Sequence, residues 1–193
     1  MFRYTLIGAL LLSSAAALAD GPSYSYIQAA YQEVDVDVGN GFDADGDGYA
    51  VGGSVELNDN WFVFAGYSSI DLESVIDFNT WTAGAGYHAP ITAGKTDWFA
   101  SLAYIDAEAD AGGFGSADDS GFGIEAGIRS MLNEQFELYG SIGYSDLGDG
   151  ADGTAFGAGF WYTVTGNLAL GLGASVGEDV TSYGAGIRLY FDK

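Results

Sequence analysis

The chain has no cysteine, only two prolines and few basic residues, with five Lys and Arg against 27 Asp and Glu. The absence of cysteine excludes a disulfide framework and any thiolate metal site. The formal net charge of −22 excludes nucleic acid as a direct partner, because almost no side chain could neutralise phosphates. Cations are the species that such a surface attracts.

The first nineteen residues differ from the rest. A basic Arg3 precedes the apolar run from Leu6 to Leu12, and Ala17-Leu18-Ala19 has the form of a signal peptidase site. The run is too short to cross a membrane as a helix, which disfavours a retained anchor. We therefore interpret 1–19 as a secretory signal peptide and 20–193 as a single domain.

Beyond residue 20 the apolar residues alternate with a period of two. In the stretch 168–177, for example, Leu168, Leu170 and Leu172 share one face, whereas Ala169 and Gly171 share the other. This period indicates β-strands. Ten such segments occur: 24–34, 48–57, 61–71, 77–88, 97–107, 120–131, 136–146, 154–164, 168–176 and 181–191.

Each segment has about ten residues, the length at which a tilted strand spans a bilayer. One face carries large apolar side chains, while the other is mostly Gly, Ala, Ser and Thr with a few charges. A sheet in lipid must close, because lipid cannot satisfy an open edge. The sequence therefore predicts an all-β, antiparallel, up-and-down transmembrane barrel of ten strands, or of eight if two weak segments are loops.

The predicted connectors alternate in character. Some are short, such as Asn58 to Asn60, Leu132 to Gln135 and Thr165 to Asn167, and the others are mostly longer and acidic. Short periplasmic turns and longer extracellular loops are typical of outer-membrane barrels. The predicted loops at 35–47, 72–76, 106–119, 147–153 and 177–180 contain no Lys or Arg, which agrees with this orientation.

The end of the chain adds a further signal. Gly186, Leu189 and Phe191 place a glycine, a hydrophobe three residues later and an aromatic two residues after that. This pattern resembles the C-terminal strand signal read by the outer-membrane assembly machinery. Asp192 and Lys193 follow the aromatic, which departs from the usual pattern.

Several blocks resemble those of small porin-like outer-membrane barrels: SYSYIQAAY, DADGDGYAVGGSVELNDNWFVFAGY and WTAGAGYHAPI, together with the spacing of the acidic segments. Within that superfamily the chain is similar to the xanthomonad immunity-activator-type outer-membrane protein family. The resemblance implies a fold and a location. It implies little about biochemical activity.

The stretch DADGDG begins like an EF-hand calcium loop, with Asp43, Asp45 and Asp47 at alternate positions before Gly48. Position 12 of such a loop would be Ser54 rather than Glu, and a strand follows instead of a helix. An EF-hand is therefore excluded. Two readings remain: a solvated loop with turn-forming residues, and weak calcium or magnesium coordination by these three carboxylates near lipid phosphates.

The alternation of side chains predicts that five charged residues point into the barrel. Charges in a narrow interior should pair, because isolated ones are costly there. Arg129 and Glu137 should meet near the periplasmic mouth, directly or diagonally opposed, with Arg188 close by. A selectivity ring in a conducting pore is the alternative. The predicted lumen charge network is Glu56, Glu125, Arg129, Glu137 and Arg188.

His88, the single histidine, is predicted at the periplasmic end of its strand with no nucleophile at the same depth. We expect it to be structural, and we expect no catalytic residue and no cofactor beyond weakly bound calcium or magnesium. The expected partners are outer-membrane lipid, lipopolysaccharide and the assembly machinery, for a monomer in the cell outer membrane. The predicted role is structural or in surface interaction, through acidic loops. A narrow cation-preferring porin is the alternative.

Overall fold

The computed structural model describes residues 21–37, 43–72, 76–92, 94–148 and 152–191. The predicted signal peptide and its cleavage site lie outside the described residues. Within the described ranges, no helix is long and apolar enough to cross a membrane. The strands are β1 (Tyr26–Asp37), β2 (Asp43–Glu56), β3 (Trp61–Leu72), β4 (Ile76–Thr92), β5 (Thr96–Asp110), β6 (Ser116–Met131), β7 (Phe136–Asp146), β8 (Asp152–Thr165), β9 (Leu168–Gly177) and β10 (Val180–Tyr190). A 3-10 turn, Gly112–Phe114, joins β5 to β6.

The ten strands form one closed antiparallel barrel in chain order. The first and last strands complete it, since β1 pairs with β2 on one side and with β10 on the other. The predicted fold class is confirmed with ten strands, and the eight-strand alternative is wrong. Closure leaves no sheet edge, which is the condition for a sheet to exist in lipid.

Large apolar side chains cover the outside of this barrel. On β9, for example, Leu170 and Leu172 point outward and are about half exposed, whereas Ala169 points inward and is fully buried. Trp81 on β4 is 62% exposed. A surface of this kind would be unfavourable in water and is what a bilayer requires.

The barrel has two distinct ends. The inner end carries the start of β1 and the end of β10, Tyr26 and Tyr190, which lie opposite each other. The acidic end carries the opposite ends of the strands, including the termini Asp37, Asp43 and Asp110. Strands of 14 to 17 residues such as β2, β4 and β6 exceed the roughly 9–11 residues that span a bilayer. In β2 and β6 the additional length lies at the acidic end, whereas in β4 it lies at the inner end, where 88–92 extends beyond the start of β3.

The connectors correct one expectation. At the acidic end β1 ends at Asp37 and β2 begins at Asp43, while at the inner end β2 ends at Glu56 and β3 begins at Trp61. The two kinds of connector are therefore similar in length. What distinguishes the acidic end is that its strands protrude, so that most of the predicted acidic loop residues belong to strands.

The protruding strands bury an apolar cluster on the inside. It joins side chains from β1, β3, β4 and β10, which face one another across one side of the mouth. We call it the outer cap: Val34, Val36, Ile70, Leu72, Phe78 and Val180. Because alternation continues unbroken, the side chains between them point outward, and on β1 these are Glu33, Asp35 and Asp37.

Candidate functional site

The inner end of the lumen contains a buried ion pair between adjacent strands. Arg129 on β6 donates from Nε to Glu137 Oε1 on β7 at 3.0 Å, and both side chains are essentially inaccessible to solvent. The register places Arg129 opposite Tyr139, so Glu137 is its diagonal neighbour, the second of the two arrangements considered above. A charge buried this deeply is tolerated only with a close partner of opposite sign.

Arg129 also contacts the segment that precedes β1. Its guanidinium lies 4.0 Å from the centre of the Tyr24 ring, and Nη2 donates to the Ser23 carbonyl at 3.3 Å. Burial raises the pKa of Tyr24 above its ordinary value, so the phenol stays neutral beside the cation. Arg129 therefore holds the segment before β1 in place across the inner mouth, through a cation–π contact with Tyr24 and a charged hydrogen bond to Ser23.

Arg188 on β10 is buried at the same end of the lumen, where its contacts are with an amide and aromatic rings. Its Nε and Nη2 both donate to Gln28 Oε1 on β1, the first at 2.9 Å. Its guanidinium lies 3.8 Å from the Trp161 ring and 4.4 Å from the Tyr26 ring. Within the described part of the chain no carboxylate lies within 4.0 Å of it. Arg188 therefore makes no direct ion pair and is stabilised by an amide and aromatic rings, while its charge still acts on Glu137.

His88 lies between two carboxylates. Its Nδ1 is 3.0 Å from Asp97 Oδ2 on β5, and its Nε2 is 3.5 Å from Glu56 Oε1 on β2. The imidazole stacks on Tyr24, with ring centres 3.9 Å apart. These contacts give His88 a packing and pairing role at the inner end and place Glu56 in the interior, as its parity predicts.

Glu125 lies deeper than the other four predicted charges. It faces a small interior cavity of about 40 Å³, which Gln28, Phe99 and Ser101 also line. Among the described residues no basic side chain forms an ion pair with it. Glu125 therefore points into the barrel, as predicted, but takes part in none of the ion pairs at the inner end.

Aromatic rings fill the space between these charges. They come from six strands and from the segment before β1, so they extend across the section of the barrel. Together with the charged side chains they form what we call the inner plug: Tyr24, Tyr26, Phe62, Phe99, Arg129, Glu137, Tyr139, Trp161, Arg188 and Tyr190. All ten are at most 7% exposed.

Glycines on the adjacent strands make room for the plug. A Cβ at Gly86 would overlap the Phe62 ring, and one at Gly171 would overlap the Trp161 indole. The small residues of the inner face therefore accommodate large rings from neighbouring strands. The prediction of a small and polar interior holds for individual strands but not for the assembled lumen.

The acidic end carries a continuous row of carboxylates on its outer surface. Cross-strand pairing places the following residues directly opposite one another on consecutive strands from β1 to β5. We call them the acidic row: Glu33, Asp47, Asp71, Asp77 and Asp110. Like charges in directly opposed positions are destabilising, so the row favours bound or condensed cations.

The DADGDG stretch belongs to this surface, which corrects its reading as a loop. Asp43, Asp45 and Asp47 lie in β2 and all point outward, so successive carboxylates are two residues, or roughly 7 Å, apart along the strand. Asp43 and Asp45 oppose Asp37 and Asp35 on β1. Within the described residues no group of three His, Asp or Glu side chains has a geometry that could hold a metal ion.

The C-terminal pattern residues occupy β10 and its end. Leu189 and Phe191 face outward into the apolar band, whereas Gly186 faces inward, where an added Cβ would approach the Trp161 ring at 3.3 Å. Phe191 donates its backbone N–H to the Ser25 carbonyl, which extends the β1–β10 pairing. The assembly signal itself stays a prediction.

Sequence reasoning missed Asp97, Tyr24 and Trp161. Alternation could have indicated two of them, because Asp97 precedes the outward Trp98 and Trp161 precedes the outward Tyr162. Tyr24 gave no such signal, since it lies before β1 and folds across the inner mouth. Only the closed barrel brings it to Arg129, 105 positions along the chain.

A family model described as "Outer membrane protein beta-barrel domain" matches residues 5–163. The chain belongs to this family. This outer-membrane barrel is therefore located in the cell outer membrane, as the strand pattern predicts. Curated protein sequences include no match to it.

Solved structures of other outer-membrane barrels superpose on this one. Neisserial surface protein A is 17% identical with a TM-score of 0.47, covering 88% of this chain and 98% of that chain. The KdgM porin, solved with oligogalacturonate, is 12% identical with a TM-score of 0.49, covering 86% and 99%. Ail of Yersinia pestis is 17% identical with a TM-score of 0.44, covering 86% and 97%. At these identities the likeness concerns the fold alone.

Proposed function

We propose that this protein is a non-conducting, non-enzymatic outer-membrane barrel with a structural and surface-interaction role. The inner plug is the observation that supports this. Its charges are paired or stacked on rings, with Arg129 on Glu137 and Tyr24, and Arg188 on Gln28 and Trp161. A conducting pore needs a hydrated path, whereas these side chains are buried across the section of the barrel.

Planar-bilayer recording tests this proposal. Purified folded protein should insert without discrete conductance steps. The double variant Trp161→Ala, Arg188→Ala removes the largest ring and one cation of the plug and should give steps if it remains folded, as judged by heat-modifiable migration in detergent gels. Cation-selective steps from the unaltered protein would overturn the proposal in favour of a narrow cation-preferring porin.

The acidic end is proposed to face the cell exterior and to bind divalent cations collectively and weakly. The acidic row concentrates counter-ions, and calcium or magnesium could bridge it to lipopolysaccharide phosphates. Because the row extends over five strands, Asp43→Asn, Asp45→Asn and Asp47→Asn together should reduce binding only in part.

Calorimetry at low ionic strength measures that binding, since screening is weakest there. Heat on addition of calcium or magnesium is expected, with a smaller heat for the triple variant. A matched triple change on the other side of the barrel, Asp106→Asn, Glu108→Gln and Asp118→Asn, should reduce it comparably. No heat from the unaltered protein would exclude the cation-binding role, while complete loss in the triple variant would indicate a single localised site instead.

The remaining partners follow from location. Outer-membrane lipid surrounds the apolar band of a monomer, and the assembly machinery is proposed to read Gly186, Leu189 and Phe191. The narrower similarity to the xanthomonad immunity-activator-type family supports a surface role for the acidic end. Antibody labelling of an epitope inserted after Gly113 on intact cells tests the orientation.

A further inference from the structure

A shallow apolar groove crosses the outer surface where the first and last strands meet. Its volume is about 670 Å³, within the roughly 300–1,000 Å³ typical of ligand pockets. Its centre lies at Ala29 on β1 and Ala185 on β10, the smallest outward side chains of the two rows that form it. Larger side chains on either side form its walls, among them Tyr31, Tyr49, Val51, Tyr162, Leu172 and Ile187.

Strand register explains the shape of the groove. Ala185 on β10 is paired with Tyr31 on β1 and with Leu172 on β9. One cross-strand row closer to the inner end, Ala29 on β1 is paired with Val51 on β2 and with Ile187 on β10. A short side chain flanked by long ones on both neighbouring strands leaves a depression in an otherwise filled apolar surface. The groove lies within the apolar band, so hydrocarbon chains are what it meets.

The acidic surface begins directly above this groove. Tyr31 lines both the groove and a second recess of about 390 Å³ whose other walls include Glu33, Asp45 and Asp47. Along β1 and β2, Glu33 and Asp47 are the next outward residues after Tyr31 and Tyr49. The apolar groove and the acidic recess are thus continuous. A lipid could place its acyl chain in the groove and its headgroup in the recess.

Charge complementarity identifies the head. The described walls of the recess carry five carboxylates, Glu33, Asp35, Asp45, Asp47 and Asp71, and no basic side chain. An anionic headgroup would be repelled here unless divalent cations intervened, whereas an ammonium group would be attracted directly. We propose that the groove and recess together bind one membrane lipid with a cationic, amine-type headgroup, its acyl chain on Ala29 and Ala185.

Native mass spectrometry of the detergent-folded barrel tests this proposal. The probes are two lipids with identical acyl chains, one with a trimethylammonium and one with a phosphoglycerol headgroup, both in the presence of a chelator. We expect one retained lipid per barrel and a preference for the cationic probe of about fivefold or more, because two adjacent exposed carboxylates contribute on that order.

Matched variants separate the two halves of the site. Asp45→Asn with Asp47→Asn should reduce the headgroup preference, because only three of the five carboxylates of the recess remain, whereas Glu108→Gln with Asp118→Asn, an equal change of charge on β5 and β6, should preserve it. Ala185→Leu should abolish retention by filling the groove, whereas Ala126→Leu, an outward alanine on β6, should have no effect. Ala29→Leu serves as a second filling variant if Ala185→Leu does not fold.

Several outcomes would overturn the proposal. These are equal or stronger retention of the anionic probe in chelator, the same loss from the control pair of substitutions, or dimers in place of lipid adducts. The last would identify the groove as an interface between two copies. None of these results depends on whether the lumen conducts, so the proposed function and this inference can fail separately.

Discussion

The two ends of the barrel bury opposite kinds of side chain under one unbroken alternation. At the inner end the outside is apolar and the inside holds Arg129, Glu137 and aromatic rings, whereas at the acidic end the outside is charged and the inside holds the outer cap. Strand periodicity fixes only which residues share a face. The medium outside decides which face is apolar, so the change of polarity along β1 between Tyr31 and Glu33 marks where lipid gives way to water.

The difference implies two sources of stability. The inner end depends on paired charges and rings in a dry interior, where each group needs its partner. The acidic end depends on apolar packing in the outer cap between the protruding strands. Repulsion between like charges along the acidic row opposes this stabilisation. Substitutions at the inner end should therefore affect the whole barrel, and those at the acidic end should act locally.

The largest effect is expected from Arg129→Ala. It leaves Glu137 buried without its cation, which should lower the free energy of unfolding by about 3–5 kcal/mol. Denaturant titration followed by heat-modifiable migration measures the loss. The double variant Arg129→Ala, Glu137→Ala should be more stable than the single one, because no unpaired charge remains. Additive losses from the two single changes would show that the pair is not coupled.

A smaller and more local effect is expected from Ile70→Ala in the outer cap. Removing this side chain should cost about 2 kcal/mol, the lower end for a buried large-to-small change. Because the protruding strands can open without unfolding the membrane-embedded part, hydrogen exchange near residues 46–48, 69–72 and 76–78 should rise. The global unfolding midpoint should change little. Ile142→Ala, on the lipid-facing surface, is the control and should leave this exchange unaltered.

Glycines beside the plug provide an intermediate test of interior packing. Gly86→Ala would place a methyl group against the Phe62 ring and should cost about 1–2 kcal/mol. Gly143→Ala is the matched inward control, because its nearest neighbour, the Ile124 carbonyl oxygen, is 3.5 Å away. Equal stability of the two variants in denaturant titration would show that the inner plug is loosely packed.

Sequence alone could predict the barrel and the inward parity of its charges, because both follow from local alternation. Partners across the closure could not be predicted in this way. Gln28 and Arg188 are 160 positions apart and meet only because β1 pairs with β10. The error at the acidic end had a different cause. The loop predicted at 35–47 includes Asp35 and Asp37. These residues alternate with Val34 and Val36 and belong to β1, because packing in the outer cap overrides the low β-propensity of Asp.

The smallest expected effect concerns the acidic row and has the opposite sign. Asp47 lies directly opposite Glu33 on one side and Asp71 on the other. Asp47→Asn removes both like-charge contacts and should raise the stability of the protruding strands by about 0.2–1 kcal/mol at low ionic strength. The gain should disappear near 1 M salt, where charges are screened beyond about 3 Å. Hydrogen exchange at residues 46–48, at low ionic strength and near 1 M salt, measures this gain in stability.

Asn58 and Asp59 lie in an inner-end turn, so Asp59→Asn is the control and should show no salt-dependent gain. A gain at Asp47 that persists in high salt would mean that the carboxylate is unfavourable for a reason other than repulsion along the row.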